Sequence, residues 1–326
     1  MQKRLINSIN EAIHDEMAYN DKIILFGQDV ETSLFGDTKY LVDKFGKERV
    51  RNTPISEDVM TSMTVGSSLM GYRPICHLMF ANFAYTGFDG IANQASKMRF
   101  MTGGKVSLPI VFMAVYGAGM STGAQHSSSI HSVLMNISGI KIVIPSNSYD
   151  AHGLMKSAIR DDNPVFFLIP AVRSGEKGDL PDEEYNVNIG EAKIIISGNQ
   201  ITLISFGTMI KNCILATNEL KQKGIEVELI DIRTLLPLDK NLIYQSVKKT
   251  GRLLIVDESN DSCSAASYIS SLCADECFKY LKAPIKRITM PDTSVPYSKT
   301  LENYILPSVE NIIHGVNTVA KWKKLK

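Results

Sequence analysis

The chain has 326 residues, enough for two domains of ordinary size, and its 44% hydrophobic and 21% charged composition suits a folded core and excludes wholesale disorder. Its 35 Lys and Arg against 34 Asp and Glu leave a formal charge of +1, so no global field favours nucleic acid or an anionic membrane. No run reads as a membrane span, and the opening Met1-Gln2-Lys3-Arg4 leads into an amphipathic pattern and not a signal peptide, which predicts a cytoplasmic protein.

Apolar Ile6, Ile9, Ile13 and Met17 recur at helical spacing and predict a first helix from Leu5 through Met17. A buried strand follows at Ile23–Gly27. Gln28 and Asp29 at its end either touch a ligand or form a solvated turn. A short helix around Tyr40 to Phe45 ends near Gly46, and Thr53-Pro54-Ile55-Ser56-Glu57 turns the chain into a helix over Val59 to Leu69. Glu57 sits where a helix N-terminus favours negative charge. It is either an ordinary exposed carboxylate or a catalytic one with a further hydrogen-bond partner.

Arg73-Pro74-Ile75 opens a second strand that runs through Phe80, and Phe83 to Met98 predicts a closely packed helix whose aromatic residues belong mostly to the core. Phe83, at the strand exit, is the better candidate for an exposed stacking face. After a strand over Leu108 to Tyr116, Gly117-Ala118-Gly119-Met120-Ser121-Thr122-Gly123 has the backbone freedom of a binding loop and carries Gln125 and His126. A lone histidine is either a hydrogen-bonded structural residue or a proton carrier. Strands at Ile140–Pro145 and Val165–Ile169 flank a helix over Ser148 to Ile159, so the repeated strand and helix segments predict a mainly parallel α/β domain.

Arg173 to Asn188, rich in Gly, Pro and charge, reads as a linker. The second α/β unit has strands at Ile201–Ser205, Glu226–Ile230, Leu253–Val256 and Ile285–Ile288, with helices over Ile210 to Leu220 and near Val309 to Gly315. The expected division is residues 1–184 and 185–326. No Walker-type or complete Rossmann glycine signature occurs. The five cysteines have no clean metal spacing; the four-residue interval of Cys273 and Cys277 would suit one helical face, but the set reads as buried or incidental thiols.

These residues resemble the β subunit of the thiamine-diphosphate-dependent E1 component of 2-oxo acid dehydrogenase complexes. The resemblance runs through Arg49-Val50, Thr53-Pro54-Ile55-Ser56-Glu57, Gly71-Tyr72-Arg73-Pro74-Ile75, Phe80-Ala81-Asn82-Phe83 and Gln125-His126-Ser127. It continues at Gly139-Ile140-Lys141-Ile142-Val143-Ile144-Pro145, Pro291-Asp292-Thr293 and Leu306-Pro307-Ser308-Val309-Glu310. Gln28 stands where this family commonly has Glu, Ser128 replaces a familiar glutamine, and the stretch around Cys263 replaces a glycine-rich one.

The resemblance implies a thiamine-diphosphate-binding pyrimidine domain followed by a transketolase C-terminal-like α/β domain. It carries to Glu57 the hydrogen bond to the pyrimidine ring that promotes the reactive tautomer, to Phe83 the ring packing, and to His126 substrate binding, proton transfer and acylation of lipoate. An α chain is expected to supply the diphosphate grip and Mg2+ in an α2β2 assembly, and the fold allows a structural K+. The expected reaction decarboxylates a 2-oxo acid and passes the acyl unit to a lipoylated E2. Two other functions stay open: a split transketolase-like or carboligating enzyme with an aldehyde or sugar acceptor, and a noncatalytic assembly subunit.

Overall fold

The computed structural model describes residues 2–322; Met1 and residues 323–326, which the expected division also covers, lie outside them. The backbone divides into Met1–Tyr116 with Val133–Ile189 and Gly117–Ser132 with Gly190–Lys326. The loop that carries His126 therefore belongs to the second unit although strands on both sides of it belong to the first.

In the first unit, strands β1 (Ile23–Gly27), β2 (Val50–Asn52), β3 (Arg73–Phe80), β4 (Val111–Tyr116), β5 (Lys141–Val143) and β6 (Val165–Pro170) lie in the order β5-β6-β4-β3-β1-β2. Every pairing among them is parallel. A parallel sheet is covered on both faces, so its strands read as nearly continuous apolar runs. β4 and β6 are accordingly buried at every residue.

One face packs helices α1 (Leu5–Tyr19) and α3 (Ser148–Arg160) through Ile9, Ile13, Met17, Leu154 and Met155 over Leu25, Ile75, Met113 and Phe167. Each such side chain removed from water contributes about 1.5–3 kcal/mol. Alternate residues point the other way, where Phe112 and Phe166 meet at 6.0 Å and helix α2 (Glu57–Leu69) packs against β3. Asn147 caps α3 by accepting the Asp150 N–H, and Arg49 donates to the carbonyls of Met17 and Asn20 at the end of α1.

The stretch after β3 departs from the expected continuous helix. It forms a 3-10 turn at Ala81–Tyr85, a π-helical turn at Gly90–Ala95 and an α-helical turn at Ser96–Met101. Close approach to α2 is the reason: a Cβ on Gly87 would lie 2.6 Å from the Glu57 carbonyl oxygen, and one on Gly90 would lie 2.4 Å from Thr61 Oγ1. The Arg173 to Asn188 stretch, which runs up to the end of the first unit, is itself packed on that unit. Its Lys177–Asp179 strand pairs antiparallel with Gln2–Arg4, and Tyr185 stacks on Tyr149 with ring centroids 4.4 Å apart.

In the second unit, β7 (Lys193–Ile196), β8 (Ile201–Ser205), β9 (Val227–Asp231), β10 (Leu253–Asn260) and β11 (Lys286–Met290) lie in the order β11-β10-β8-β9-β7. β7 alone runs antiparallel to its neighbour. Helices α4 (Ile210–Gln222) and α5 (Val309–Ala320) bury Cys213, Ala216, Leu220, Ile312 and Val316 against this sheet. Ser308 and Asn311 close a reciprocal capping box at the start of α5. Further helices at Lys240–Thr250 and Ala265–Cys277, each with a capping Asp239 or Ser264, complete the unit.

Candidate active site

Glu57 is the first helical residue of α2, delivered there by the extended Thr53-Pro54 approach. Although charged, it is only 6% exposed. A buried carboxylate needs compensating partners, and Gln28, itself buried at the end of β1, donates its Nε2–H to Glu57 Oε1 at 2.9 Å. Among the described residues Oε2 accepts no hydrogen bond from protein. Thus one oxygen is fixed by Gln28 and the other is open to a further donor.

Beneath this pair, Cys76 on β3 is wholly buried, and its thiol is pushed up to about 12 by burial, reinforced by the Glu57 charge and partly offset by a Thr64 hydrogen bond. It stays neutral at physiological pH and does not compete for the Glu57 proton.

The 3-10 turn that carries Phe83 is tethered to the same helix, because Thr61 Oγ1 donates to the Gly87 carbonyl at 3.0 Å. The Phe83 ring is half-buried and meets Phe80 edge-on at 5.6 Å; Phe80 in turn meets Phe35 at 5.4 Å. Phe35 stacks on His77, whose Nε2–H donates to Asp37 at 2.8 Å while Nδ1 accepts the Met79 N–H. This aromatic and hydrogen-bonded ladder braces the ring at the strand exit. A carboxylate oxygen awaiting a donor and a braced aromatic face suit a flat nitrogen heterocycle, one edge of which can hydrogen-bond while its face stacks.

His126 lies in the second unit's turn at residues 124–126, half-buried, with its backbone N–H donating to the Gly123 carbonyl. The surrounding loop is tightly specified. Gly117 has φ +94°, a conformation that favours glycine, and a Cβ there would press to 2.9 Å on the tip of the Glu258 side chain. Fully buried Glu302 accepts the N–H of Gly119 at 2.7 Å and the N–H and hydroxyl of Ser121, and Lys299 donates to the Gly119 carbonyl.

At the loop's far end, Thr122 and Ser127 hydroxyls pair at 2.8 Å, and His131 Nε2–H donates to Asp257 Oδ1 at 3.1 Å. Burial would push Asp257 up, but the adjacent His131 and the Ser259 N–H outweigh it and hold this carboxyl below the usual range. Glu57 and Phe83 thus share one unit and His126 stands in the other.

Sequence reasoning missed the residues that hold these groups. Glu302 sits 183 positions from Gly119, and no local pattern links them. Gln28 did carry a signal: a polar residue at a strand end, different from its common counterpart in the resembled family. Among the described residues no group of three or more His, Cys, Asp or Glu side chains is arranged to hold a metal, and no helix is long and apolar enough to cross a membrane. Four cysteines are buried and Cys263 is exposed.

Residues 2–173 match the transketolase pyrimidine binding domain, and residues 190–312 match the transketolase C-terminal domain. The chain is 41% identical to the acetoin:2,6-dichlorophenolindophenol oxidoreductase subunit beta of Bacillus subtilis (strain 168), over 94% of each chain. It is 37% identical to the pyruvate dehydrogenase E1 component subunit beta of Rickettsia felis, over 99% of each chain. A solved structure of a split gene transketolase, an inactive beta4 tetramer, shares the fold with a TM-score of 0.80 at 19% identity, over 98% of each chain.

Proposed function

Since the chain belongs to the family of transketolase-like, thiamine-diphosphate-dependent 2-oxo acid dehydrogenase E1 β subunits, we propose that it supplies the pyrimidine half of a split active site that decarboxylates a 2-oxo acid. The acyl unit then passes to a lipoylated E2. The observation that carries this proposal is Glu57, a buried carboxylate with Oε1 held by Gln28 and Oε2 left for a ligand, on the helix to which the segment carrying the braced Phe83 is tethered.

These residues fit the cofactor's aminopyrimidine. Glu57 Oε2 would meet a ring nitrogen and share a proton with it, and Phe83 would cover the ring face. Thiamine diphosphate supplies, when bound, the electron sink that decarboxylation requires. His126 holds or moves a proton beside the substrate, a task for which imidazole is suited near neutral pH. An α partner completes the site, gripping the diphosphate and Mg2+, in a cytoplasmic α2β2 assembly, with a structural K+ as a further ligand.

A second substrate class has its own support. The Bacillus subtilis relative at 41% identity is named for acetoin, so a 2-hydroxy ketone is an alternative acyl donor for the same protein groups. The test is to copurify the chain with its natural α partner and supply thiamine diphosphate, Mg2+ and a panel of 2-oxo acids and acetoin. Parallel reactions contain lipoylated E2 domain or aldehyde acceptors. Acyl-lipoyl formation that requires both chains supports the proposal. Selective carbon–carbon bond formation with aldehydes moves the chain to the carboligating class, and turnover by the chain alone defeats the split-site assignment.

A further inference from the structure

We infer that Gln28 is a positioning residue that selects which oxygen of Glu57 handles the proton. The inference rests on the proposed role of Glu57 and deepens it. Gln28 Nε2 lies 2.9 Å from Glu57 Oε1, and both side chains are buried. A carboxylate only accepts hydrogen bonds, so the amide presents its N–H group to Oε1. An oxygen occupied by a permanent donor is the poorer place for a proton, because protonation there leaves the N–H facing a hydroxyl oxygen, a weaker acceptor than a carboxylate or carbonyl oxygen. The proton that Glu57 exchanges is thereby directed to Oε2, the oxygen without a protein donor among the described residues.

The amide does this without titrating. A carboxylate at position 28, common in the resembled family, would place two acids within hydrogen-bond distance, and such a pair binds one shared proton through a wide pH range. Gln28 removes that shared proton and replaces it with a fixed donor. Other groups facing Glu57 do not undo the effect: Cys76 beneath it keeps its proton, and Asp58 follows it on the exposed side of α2. Gln28 also fixes the carboxylate plane, since β1 and α2 are each embedded in the first unit's parallel sheet and its covering helix.

The experiment uses the α-partnered complex loaded with thiamine diphosphate and Mg2+. It reads deuterium exchange at the cofactor's C2 position across pH, together with cofactor affinity by calorimetry. Gln28→Met keeps the side-chain length and deletes the donor; exchange is expected to fall about tenfold, the lower end of the effect of a hydrogen bond to a charged group. Gln28→Glu is expected to retain exchange at low pH, where the pair holds a proton, and to lose it as pH rises. The wild type lacks that alkaline fall.

Glu57→Gln is the control for the underlying role. If it leaves exchange unchanged, the functional proposal fails and the inference with it. If Glu57→Gln suppresses exchange while Gln28→Met and Gln28→Glu keep the wild-type rate and pH profile, the positioning role alone is overturned. Should Gln28→Met fold poorly, the pH profile of Gln28→Glu decides the matter by itself.

Discussion

The Glu302 carboxylate accepts the Gly119 backbone N–H at 2.7 Å from a fully buried position, and so clasps the loop that carries His126. The same carboxylate takes the Ser121 N–H at 3.1 Å and its hydroxyl at 3.2 Å. Glu302→Gln turns one acceptor oxygen into an N–H2 group facing those donors, at a cost of about 1–3 kcal/mol in loop order. The expected result is a fall in turnover with a small change in the unfolding midpoint. Urea melts and single-turnover kinetics of the α-partnered enzyme check it; unchanged turnover would mean that the clasp does not govern His126.

His126→Ala removes the imidazole from a loop whose shape is set by Gly117, Glu302 and the Thr122–Ser127 pair, so the fold should survive. Loss of a positioned acid or base typically lowers a chemical step by 10²–10⁴-fold. Decarboxylation or acyl transfer should drop within that range while stability changes little. Rapid-quench measurement of both steps separates them, and wild-type rates in both would remove His126 from the chemistry.

Arg160 donates to the two oxygens of Glu16 at 2.9 and 2.7 Å, joining α3 to α1. Glu16 is 3% exposed, whereas the arginine side chain is partly in solvent. Arg160→Ala strands a buried carboxylate and should cost about 2 kcal/mol, an intermediate figure because solvent reaches one side of the pair. Glu16→Ala in the Arg160→Ala background should recover part of the loss, since the stranded charge is gone. Urea denaturation of the single and double variants gives the coupling directly.

Parallel strands such as β4 and β6 were legible as apolar runs, and Ile9, Ile13 and Met17 gave α1, because both patterns are local consequences of a face being buried. Helix breaks after Phe83 were not, since they answer the approach of Gly87 and Gly90 to α2, a long-range packing demand. Helices Lys240–Thr250 and Ala265–Cys277 are only weakly marked in the sequence although Asp239 and Ser264 offer N-caps; their apolar faces are short and mixed with polar residues. Glu57, Phe83 and His126 were named from their surroundings in sequence. Their supports, Gln28 and Glu302, reach them through space across 29 and 181–183 positions, which no local motif can report.

His152 on α3 is buried, with its ring 5.0 Å from that of Tyr185 and its Nε2 3.8 Å from Asp15, beyond a hydrogen bond. Its Nδ1 has no hydrogen-bond partner among the described residues. Burial, then the Lys156 charge, hold it below its ordinary value near 6.5, with Glu11 and Asp15 opposing and Lys3 assisting. The unfolded chain therefore binds a proton that the folded chain refuses. Stability from this group is full above about pH 6.5 and declines as pH falls toward the depressed folded value, by at most about 1.4 kcal/mol per pH unit. His152→Gln cannot take up that proton in either state, so its urea midpoint should decline less than that of the wild type between pH 7 and pH 5. Carboxylates elsewhere contribute equally to both proteins, and the difference between the two curves isolates the histidine. Parallel curves would mean that His152 charges as readily folded as unfolded, with Asp15 and Glu11 compensating its burial in full.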